Sequence, residues 1–341
     1  MNGGYEYICM TQFNPMRFKF TCQIFLCLLT LVFSNCFSLI AMAQKKELSG
    51  DLIIFHAGSL SVPIKDISAE FNKLYPKVRI LAESAGSVAS ARKITDLDRP
   101  CDIMASSDYG VIDAMLIPRF ADWNLKFASN EMTVVYSGNS RYASEINERN
   151  WYETLMKPEV FLGRADPNSD PCGYRTVMAL QLAEQYYKKP GMSRNILSKN
   201  QEFIRPKEVD MVALLESGSI DYCFLYRSVA IQHKLRFISF PEQVNLKNPD
   251  FAKLYASAKV EVNGNKPGEK QQITGEPMIY SVTILRNAPN KPVAEAFLTF
   301  LLSKNQGIKI LEKDGQPSVV PMSCANYDKL PALLRPFAKQ K

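Results

Sequence analysis

The sequence predicts an α/β protein, and the pattern of its first hundred residues carries that prediction. Three apolar, strand-like runs come early in the chain, at residues 51–55, 77–82 and 101–105. The segment after the first run has Ile67, Phe71 and Leu74 at helical spacing, and residues 88–97 have the pattern of a second helix. This β-α-β-α-β alternation with continuous apolar strands is typical of a doubly wound parallel sheet that helices cover on both faces.

A second α/β unit follows the first. Its predicted elements are a strand at 132–136, helices at 174–187 and 209–216, and a strand at 221–226. A strand at 278–285 then returns the chain to the first sheet, and helices at 292–302 and 306–312 complete that sheet's cover. We therefore predict two doubly wound lobes joined by two crossing strands: lobe I, residues 44–135 plus 278–341, and an inserted lobe II, residues 136–277. A cleft between such lobes is a common place for a ligand.

The N-terminal segment has the features of a secretory signal peptide. Arg17 and Lys19 precede an apolar run at residues 24–33, and residues 41–43 supply the small side chains that a signal peptidase recognises. We therefore predict a signal peptide at residues 1–43 and a periplasmic or extracytoplasmic protein. A membrane anchor is one alternative, which the polar residues within the apolar stretch disfavour. A lipid anchor at Cys36 is another, which the bulky Phe33 and the polar Asn35 before that cysteine disfavour.

Composition narrows the function classes. The net charge of +7 is modest and spread along the chain, without a basic stripe interleaved with aromatic residues, so nucleic-acid binding is not expected. Beyond residue 43, no segment approaches the roughly 18 apolar residues of a membrane helix. The cysteines of that region have no CxxC spacing, which disfavours a zinc site and leaves disulfide pairing open. These residues are Cys101, Cys172, Cys223 and Cys324.

Two glycine–serine pairs follow neighbouring predicted strands. Gly58 and Ser59 come after the first strand, Gly86 and Ser87 come after the second, and each pair opens a helix. Helix N-termini present unpaired N–H groups and partial positive charge, serine adds a hydroxyl donor, and glycine permits close approach of the backbone. Each serine alone is most simply an N-cap. Two such pairs at the carboxyl edge of one parallel sheet favour an anion site.

The second unit offers two candidate carboxylates and a phenol. Asp170 stands where a helix begins, Glu208 precedes the helix at 209–216, and Tyr226 ends a predicted strand. The simpler alternatives are a helix cap for Asp170, a helix-dipole contact for Glu208 and a core position for Tyr226. Cys172 has no histidine at a recognisable spacing, so we expect a small buried thiol and no enzymatic nucleophile.

These segments together resemble one family. The motifs are FHAGSLSVP at 55–63, ESAGS at 83–87, DPNSDPCGYR at 166–175 and RPKEVD at 205–210, continued through residues 214–230. They resemble the archaeal-type tungstate/molybdate-binding proteins of ABC importers, a branch of the molybdate-binding periplasmic protein family. The resemblance implies a type II periplasmic-binding-protein fold, an oxyanion held between the lobes and delivery to the permease subunits of an ABC transporter. We expect a monomer.

The resemblance also implies the site residues. The oxyanion-binding set is Gly58, Ser59, Ser87, Asp170, Pro171, Cys172, Glu208 and Tyr226. In this branch the carboxylates of Asp170 and Glu208 bind the molybdenum or tungsten atom itself and expand its tetrahedral coordination. The alternatives are Asp166 in place of Asp170 and Asp210 in place of Glu208. The ligand is molybdate or tungstate, and no cofactor and no catalytic residue is implied.

Carboxylates beside an anion have a chemical rationale. A buried carboxylate repels a dianion, so a sulfate or phosphate site would rely on N–H and hydroxyl donors alone. Molybdenum and tungsten centres are large, hard Lewis acids that accept extra oxygen ligands, whereas the sulfur of sulfate accepts none. The same carboxylates would therefore attract one oxyanion and reject the other. The alternatives are a site for sulfate or phosphate, a site for ferric iron, which hard oxygen ligands also suit, and an enzyme on the same fold.

Overall fold

The computed structural model describes residues 1, 3, 47–264 and 268–340. The strands of this part of the chain are β1 (Gly50–Ala57), β2 (Val78–Ala85), β3 (Ile103–Ser106), β4 (Leu125–Ser129), β5 (Met132–Tyr136), β6 (Leu162–Ala165), β7 (Ile204–Arg205), β8 (Tyr222–Tyr226), β9 (Arg236–Ser239), β10 (Lys259–Asn263), β11 (Lys270–Thr274), β12 (Ile279–Ile284), β13 (Met322–Cys324) and β14 (Ala338–Gln340).

The α-helices of the described residues are α1 (Ser61–Leu74), α2 (Ser87–Thr95), α3 (Tyr109–Met115), α4 (Trp151–Met156), α5 (Pro171–Tyr187), α6 (Met192–Ser198), α7 (Asp210–Glu216), α8 (Arg227–Gln232), α9 (Ala252–Tyr255), α10 (Lys291–Leu302) and α11 (Gly307–Lys313). Short 3-10 helices lie at Gly58–Leu60, Gln201–Phe203, Pro249–Phe251, Tyr327–Lys329 and Ala332–Phe337.

The first sheet, sheet A, has five strands in the order β2, β1, β3, β12, β4. Strand β1 pairs in parallel with β2 and β3, whereas β12 runs antiparallel to both β3 and β4. The parallel arrangement predicted for the first three strands is therefore confirmed. Strand β12 is antiparallel because it brings the chain back from the second sheet and enters in the opposite direction. Helices cover both faces, and each face has its own apolar core.

The helix after β1 shows how the sequence produces this packing. Its apolar residues Ile64, Ile67 and Phe71 recur at helical spacing and are fully buried against sheet A. The Phe71 ring meets Phe297 of α10 edge-on, with ring centroids 5.2 Å apart. Leu74, predicted on the same face, is the last helical residue and is mostly exposed.

The second sheet, sheet B, has the order β7, β6, β8, β5, β9. Strand β6 is parallel to β7 and β8, and β5 is antiparallel to β8 and β9. A single large core, which contains Trp151, Tyr222 and Phe224, joins this sheet to its helices. We call sheet A with its helices half A, and sheet B with its helices half B. Both halves lie within one compact unit, Leu48–Lys341.

The chain passes between the sheets in short connections. It leaves sheet A after Ser129, crosses in Asn130 and Glu131, and enters sheet B at Met132. The segments predicted as crossing strands, 132–136 and 278–285, are both strands, and each pairs within one sheet. The predicted lobe boundary between residues 135 and 136 falls inside β5, all of which belongs to sheet B.

Two findings concern membrane and export. Among the described residues no helix combines the length and the apolar character needed to cross a membrane. The predicted signal peptide, residues 1–43, lies outside the described residues apart from Met1 and Gly3.

Candidate functional site

The turn after β1 places Ser59 at the carboxyl edge of sheet A. Gly58–Leu60 forms a 3-10 turn that runs directly into α1, and the Ser59 side chain is fully buried. The Ser59 N–H donates to Glu208 Oε1 at 2.5 Å, and Ser59 Oγ lies 2.9 Å from the Tyr280 hydroxyl. No side chain caps this turn. The alternative that Ser59 is only an N-cap is therefore wrong.

The second glycine–serine pair begins α2, where Gly86 is the N-cap and Ser87 is the first helical residue. Ser87 Oγ accepts from the Ser107 N–H at 3.0 Å, so it ties the end of β3 to α2 and caps no helix. A Cβ atom on Gly86 would lie 2.3 Å from the Ser169 carbonyl oxygen of half B. Glycine is required here because the two backbones approach so closely.

Asp170 is the N-cap of α5 and is almost fully buried. Its Oδ1 accepts from the Cys172 N–H at 2.8 Å, which confirms the capping alternative, and its Oδ2 accepts from the Glu208 N–H at 3.1 Å. Burial raises the pKa of Asp170 well above its usual range, and the neighbouring Glu208 carboxylate raises it further. The two carboxylates therefore form one buried pair.

Glu208 lies two residues before α7 and is fully buried. Its carboxylate reaches across from half B to the turn of half A, where Oε1 accepts from the Ser59 N–H. The other oxygen, Oε2, has no hydrogen-bond partner, and a Cβ atom on Gly58 would lie 2.5 Å from it. The side chain thus does more than favour its own helix dipole, and Gly58 is the residue that gives it room.

Tyr226 ends β8 and is fully buried. Its hydroxyl accepts from Arg175 Nη1 at 3.2 Å, and burial raises its pKa well above the usual value. The same Nη1 donates to the Ser107 carbonyl of half A at 2.7 Å. Tyr226 is therefore a core tyrosine whose polar end joins a network between the halves.

An ion pair that the sequence analysis did not single out also joins the halves. Arg175 Nη2 of α5 lies 3.1 Å from Asp108 Oδ2, which precedes α3, and both side chains are buried. The Tyr174 hydroxyl donates to the same carboxylate oxygen at 2.5 Å. A buried pair of this kind is costly to separate, because each charge would remain without a partner. Arg175 and Tyr174 stand inside the 166–175 motif, which was the only sequence signal for them.

The remaining predicted residues have clear structural roles. Pro171 is the first residue of α5, and Cys172 is fully buried with its Sγ 3.6 Å from the Phe224 carbonyl. Burial raises the pKa of the Cys172 thiol well above its ordinary value, which disfavours the nucleophilic thiolate form. The cysteines of the described residues are free and buried, and none forms a disulfide: Cys101, Cys172, Cys223 and Cys324.

The two fallback carboxylates lie outside the buried pair. Asp210 is partly exposed and forms an ion pair with Lys207 at 3.3 Å. Asp166 accepts from the Asn168 N–H at 2.9 Å and from the Ser169 hydroxyl at 3.1 Å, so it shapes the loop before α5. None of these partners is the Asp170 or Glu208 side chain.

The structure joins the predicted residues in two hydrogen-bonded groups. One group runs from Ser59 through Glu208 and Asp170 to the Cys172 N–H, and the other from Ser87 through Ser107 and Arg175 to Tyr226. Helix α5 connects them, because Asp170 caps it and Arg175 lies on it. Half A supplies the Ser59 N–H and the Ser59 and Ser87 hydroxyls, and half B supplies the carboxylates of Asp170 and Glu208. Within residues 47–264 and 268–340, no group of three or more His, Cys, Asp or Glu is placed to hold a metal ion.

Comparison with known proteins adds a family to this geometry. Residues 52–316 match the family described as bacterial extracellular solute-binding protein. An uncharacterized solute-binding protein of Petrotoga mobilis is 44% identical over 310 residues, which cover 91% of this chain and 96% of that protein. The molybdate/tungstate-binding protein WtpA of Thermococcus kodakarensis is 40% identical over 306 residues, covering 82% of this chain and 85% of that protein.

A solved structure supports the fold. The periplasmic molybdate-binding protein of Azotobacter vinelandii superposes with a TM-score of 0.56, covering 79% of this chain and 99% of that one at 17% sequence identity. The two-sheet architecture is thus the type II periplasmic-binding-protein fold that the sequence resemblance implies.

Proposed function

Because the chain belongs to the bacterial extracellular solute-binding proteins, we propose that it captures molybdate or tungstate between its two halves and delivers the ion to the permease of an ABC transporter. The observation that carries this proposal is the buried pair Asp170 and Glu208. The Glu208 carboxylate accepts from the Ser59 N–H of the other half, and the Asp170 carboxylate accepts from the Glu208 N–H.

The carboxylate pair argues for a metal-centred oxyanion. A dianion of sulfate or phosphate placed against two buried carboxylates would be repelled at short range and in a medium of low dielectric constant. A molybdenum or tungsten centre instead offers a Lewis acid to which a carboxylate oxygen binds. Glu208 Oε2, buried and without a hydrogen-bond partner, is the oxygen that we assign to the metal atom.

The remaining residues have complementary roles in this proposal. The Ser59 and Ser87 hydroxyls and the backbone at Gly58 donate to the oxo oxygens from half A. The carboxylate of Asp170 is the second metal ligand, and the backbone of Pro171 and Cys172 positions it through the helix cap. The Tyr226 hydroxyl, ordered by Arg175, completes the contacts. Relatives named for molybdate and tungstate support this assignment.

Capture between two lobes is part of the proposal. We assign residues 44–131 plus 278–341 to lobe I and 132–277 to lobe II, which moves the predicted boundary between residues 135 and 136 to the front of β5. Contacts between the halves, such as the Ala89 N–H to the Ser169 carbonyl at 3.2 Å, would break on opening. X-ray scattering should therefore show a smaller radius of gyration with molybdate than without it, and superimposable profiles would contradict lobe closure.

The proposal extends to the setting of the protein. The chain acts outside the cytoplasm after removal of residues 1–43, works as a monomer and catalyses no reaction. A binding protein takes up its ligand stoichiometrically, so mass spectrometry of the ligand after incubation should recover molybdate unchanged. Conversion of the ligand to another species would instead indicate an enzyme on the same fold.

Isothermal titration tests the proposed ligand. The purified chain lacking residues 1–43, freed of any copurified ligand, is titrated with molybdate, tungstate, sulfate and phosphate. We expect tight one-to-one binding of molybdate and tungstate and no measurable heat from the other two. Equal affinity for sulfate would contradict the role of the carboxylates, and binding of none of the four would contradict the oxyanion assignment itself.

A further inference from the structure

A chain of hydrogen bonds connects Ser59 to the segment where the backbone crosses between the halves. Ser59 Oγ lies 2.9 Å from the Tyr280 hydroxyl, and the Tyr280 hydroxyl lies 2.9 Å from Asn130 Nδ2. The same Nδ2 lies 2.7 Å from the Ser228 hydroxyl of half B. All four side chains are almost fully buried, so their polar atoms depend on hydrogen bonds to protein partners rather than to bulk water.

The backbone fixes which way the Asn130 amide points. Its Oδ1 accepts from the Glu131 N–H at 3.0 Å and from the Ser228 N–H at 3.3 Å. A backbone N–H is always a donor, so the atom that faces these two groups is the amide oxygen. The amide nitrogen therefore faces the other two partners, and its two hydrogens go to the hydroxyl oxygens of Ser228 and Tyr280.

The orientation of the amide determines the direction of the next bond. The Tyr280 oxygen accepts from Asn130, and its own hydrogen remains to be donated to Ser59 Oγ. Burial raises the pKa of Tyr280, so its hydroxyl stays protonated and remains a donor. Ser59 Oγ then accepts from Tyr280, and the single hydrogen of the serine hydroxyl is directed elsewhere.

We propose that Asn130 and Tyr280 are positioning residues that hold the Ser59 hydroxyl as a hydrogen-bond donor to an oxo oxygen of the bound ligand. The inference deepens the proposed function and rests on it for the position of the ligand. An oxyanion offers only lone pairs, so a serine that presented its own lone pair would repel it. The hydrogen bonds from Asn130 to Tyr280 and from Tyr280 to Ser59 occupy that lone pair, so the serine hydrogen is available to the ligand before it binds.

The Ser59 carbonyl is also held by a buried side chain of half A. Gln316 Nε2 donates to the Ser59 carbonyl at 3.0 Å, and Gln316 is fully buried. This bond fixes the peptide group, and the Tyr280 bond fixes the side chain. The Ser59 carbonyl and hydroxyl are thereby both ordered by half A, while Asn130 also holds Ser228 of half B.

A substitution at Asn130 can reverse the direction of these hydrogen bonds without changing the positions of the side chains. In Asn130→Asp the introduced carboxylate still accepts from the Glu131 and Ser228 N–H groups, yet it has no hydrogen for Tyr280. The Tyr280 hydroxyl would then donate to that carboxylate and accept from Ser59, so the serine would turn its lone pairs toward the ligand. Tyr280→Phe removes the central hydroxyl and leaves Ser59 free to rotate.

The test is a double-mutant cycle on the affinity for molybdate, measured by isothermal titration. We expect Asn130→Asp to weaken binding at least tenfold in the wild-type background. In a Ser59→Ala background, which has no hydroxyl to orient, Asn130→Asp should change the affinity less than twofold. Tyr280→Phe should weaken binding a few-fold and should likewise lose its effect when Ser59 is replaced by alanine.

Each outcome of the cycle is decisive. The negative charge that Asn130→Asp adds acts on the ligand whether or not the Ser59 hydroxyl is present, so additive losses would overturn the proposal. If Asn130→Asp fails to fold by circular dichroism, the Tyr280→Phe cycle alone carries the test. If the wild-type protein binds sulfate instead of molybdate, the proposed function fails and the cycle is run with sulfate. If it binds no oxyanion, both fail together.

Discussion

The two halves of the molecule contribute opposite chemistry to one site. Half A presents N–H and hydroxyl donors at the ends of β1 and β2, and no carboxylate comes from those two turns. Half B presents two buried carboxylates, Asp170 and Glu208, at the starts of two helices. The donors of half A alone would suit any tetrahedral oxyanion, whereas the carboxylates would repel an oxyanion whose central atom accepts no further ligand, such as sulfate.

The difference separates two tasks of recognition. In the function that we propose, donors recognise the oxygens, which molybdate, tungstate and sulfate share, and carboxylates recognise the central atom, in which these ions differ. The support of each side also differs. Half A holds Ser59 through Tyr280 and Gln316, while half B leaves Glu208 Oε2 buried without a partner. Buried polar groups without partners are costly, and such departures from the rules of stable folding are expected where a ligand acts.

The largest expected effect comes from neutralising the unpartnered carboxylate. Glu208→Gln keeps the shape and the acceptor for the Ser59 N–H, yet it removes the charge that we propose binds the metal atom. We expect molybdate affinity to fall about a thousandfold, roughly 4 kcal/mol. Thermal stability without ligand should rise, because a buried charge is gone. Isothermal titration and calorimetric unfolding check both.

The matched control for this variant is Glu216→Gln, an exposed glutamate on the adjoining helix α7. It should change neither the affinity nor the unfolding temperature. Unchanged molybdate affinity in Glu208→Gln would remove the distinction between the two halves, because half B would then contribute nothing specific to the metal.

The second effect concerns the pH dependence of stability that a buried, uncharged histidine of half A produces. His56 lies at the end of β1, where Nδ1 bonds the Ala57 carbonyl at 2.8 Å, and burial lowers the pKa of His56 from 6.5 to about 4. The unfolded chain therefore binds a proton between about pH 6.5 and 4 that the folded protein does not bind. Stability should fall as the pH drops through this window, by about 3 kcal/mol for this group.

Urea unfolding at several pH values tests this expectation. His56→Gln should flatten the loss of stability between pH 6.5 and 4, and His233→Gln, at an exposed position, should leave the loss as in wild type. An identical pH dependence in wild type and His56→Gln would show that His56 is not held neutral by the fold.

A third variant tests the contact between the halves without altering the chemistry of either. Gly86 has a φ of −58°, which alanine also adopts, so Gly86→Ala introduces only a methyl group facing the Ser169 carbonyl. We expect closure to cost about 2 kcal/mol more and the affinities for molybdate and tungstate to fall equally, roughly thirtyfold.

The control for this variant is Gly138→Ala, whose added Cβ would lie an ordinary 3.8 Å from Arg236. Its affinity should match wild type. If Gly86→Ala bound as tightly as the control, the close approach of the halves at this point would have no part in ligand capture.

The smallest effect on molybdate affinity is expected from Asp210, the alternative to Glu208 as a metal ligand. Asp210 pairs with Lys207 near the surface, so Asp210→Asn should change molybdate affinity less than twofold and stability by less than about 0.5 kcal/mol. A loss as large as that of Glu208→Gln would move the metal ligand to Asp210 and change the geometry proposed for half B.

The elements predicted best were those with long apolar periodicity. Helix α1 and strand β5 match their predicted segments closely, and helix α5 begins three residues before its predicted start because Asp170 and Pro171 initiate it. Strand β6, Leu162–Ala165, was missed because it is four residues long and contains Gly163. The hairpin β10–β11 was also missed, although β10 alternates exposed and buried residues.

Only those residues of the candidate site that stand beside local sequence signals could be identified from the sequence. Ser59, Ser87 and Asp170 stand next to turn signals that can be recognised locally. Asn130 and Tyr280 were not identified, because their roles depend on each other over 150 residues of sequence and no local pattern encodes that pairing.

Long-range pairing explains the other omissions as well. Arg175 and Asp108 find each other only once the two sheets are packed together. The Asp170 carboxylate likewise has a local and a long-range partner, since one oxygen caps α5 and the other accepts from the Glu208 N–H.

The central claim is that the carboxylates of half B bind the metal atom while the donors of half A bind its oxygens. Molybdenum K-edge X-ray absorption on the protein loaded with molybdate tests this directly, with Glu208→Gln and Asp170→Asn as comparisons. We expect octahedral molybdenum with longer molybdenum–oxygen bonds from the carboxylates in the wild type, and the loss of one such bond in each variant that still binds. A purely tetrahedral oxyanion spectrum in the wild type would contradict the claim.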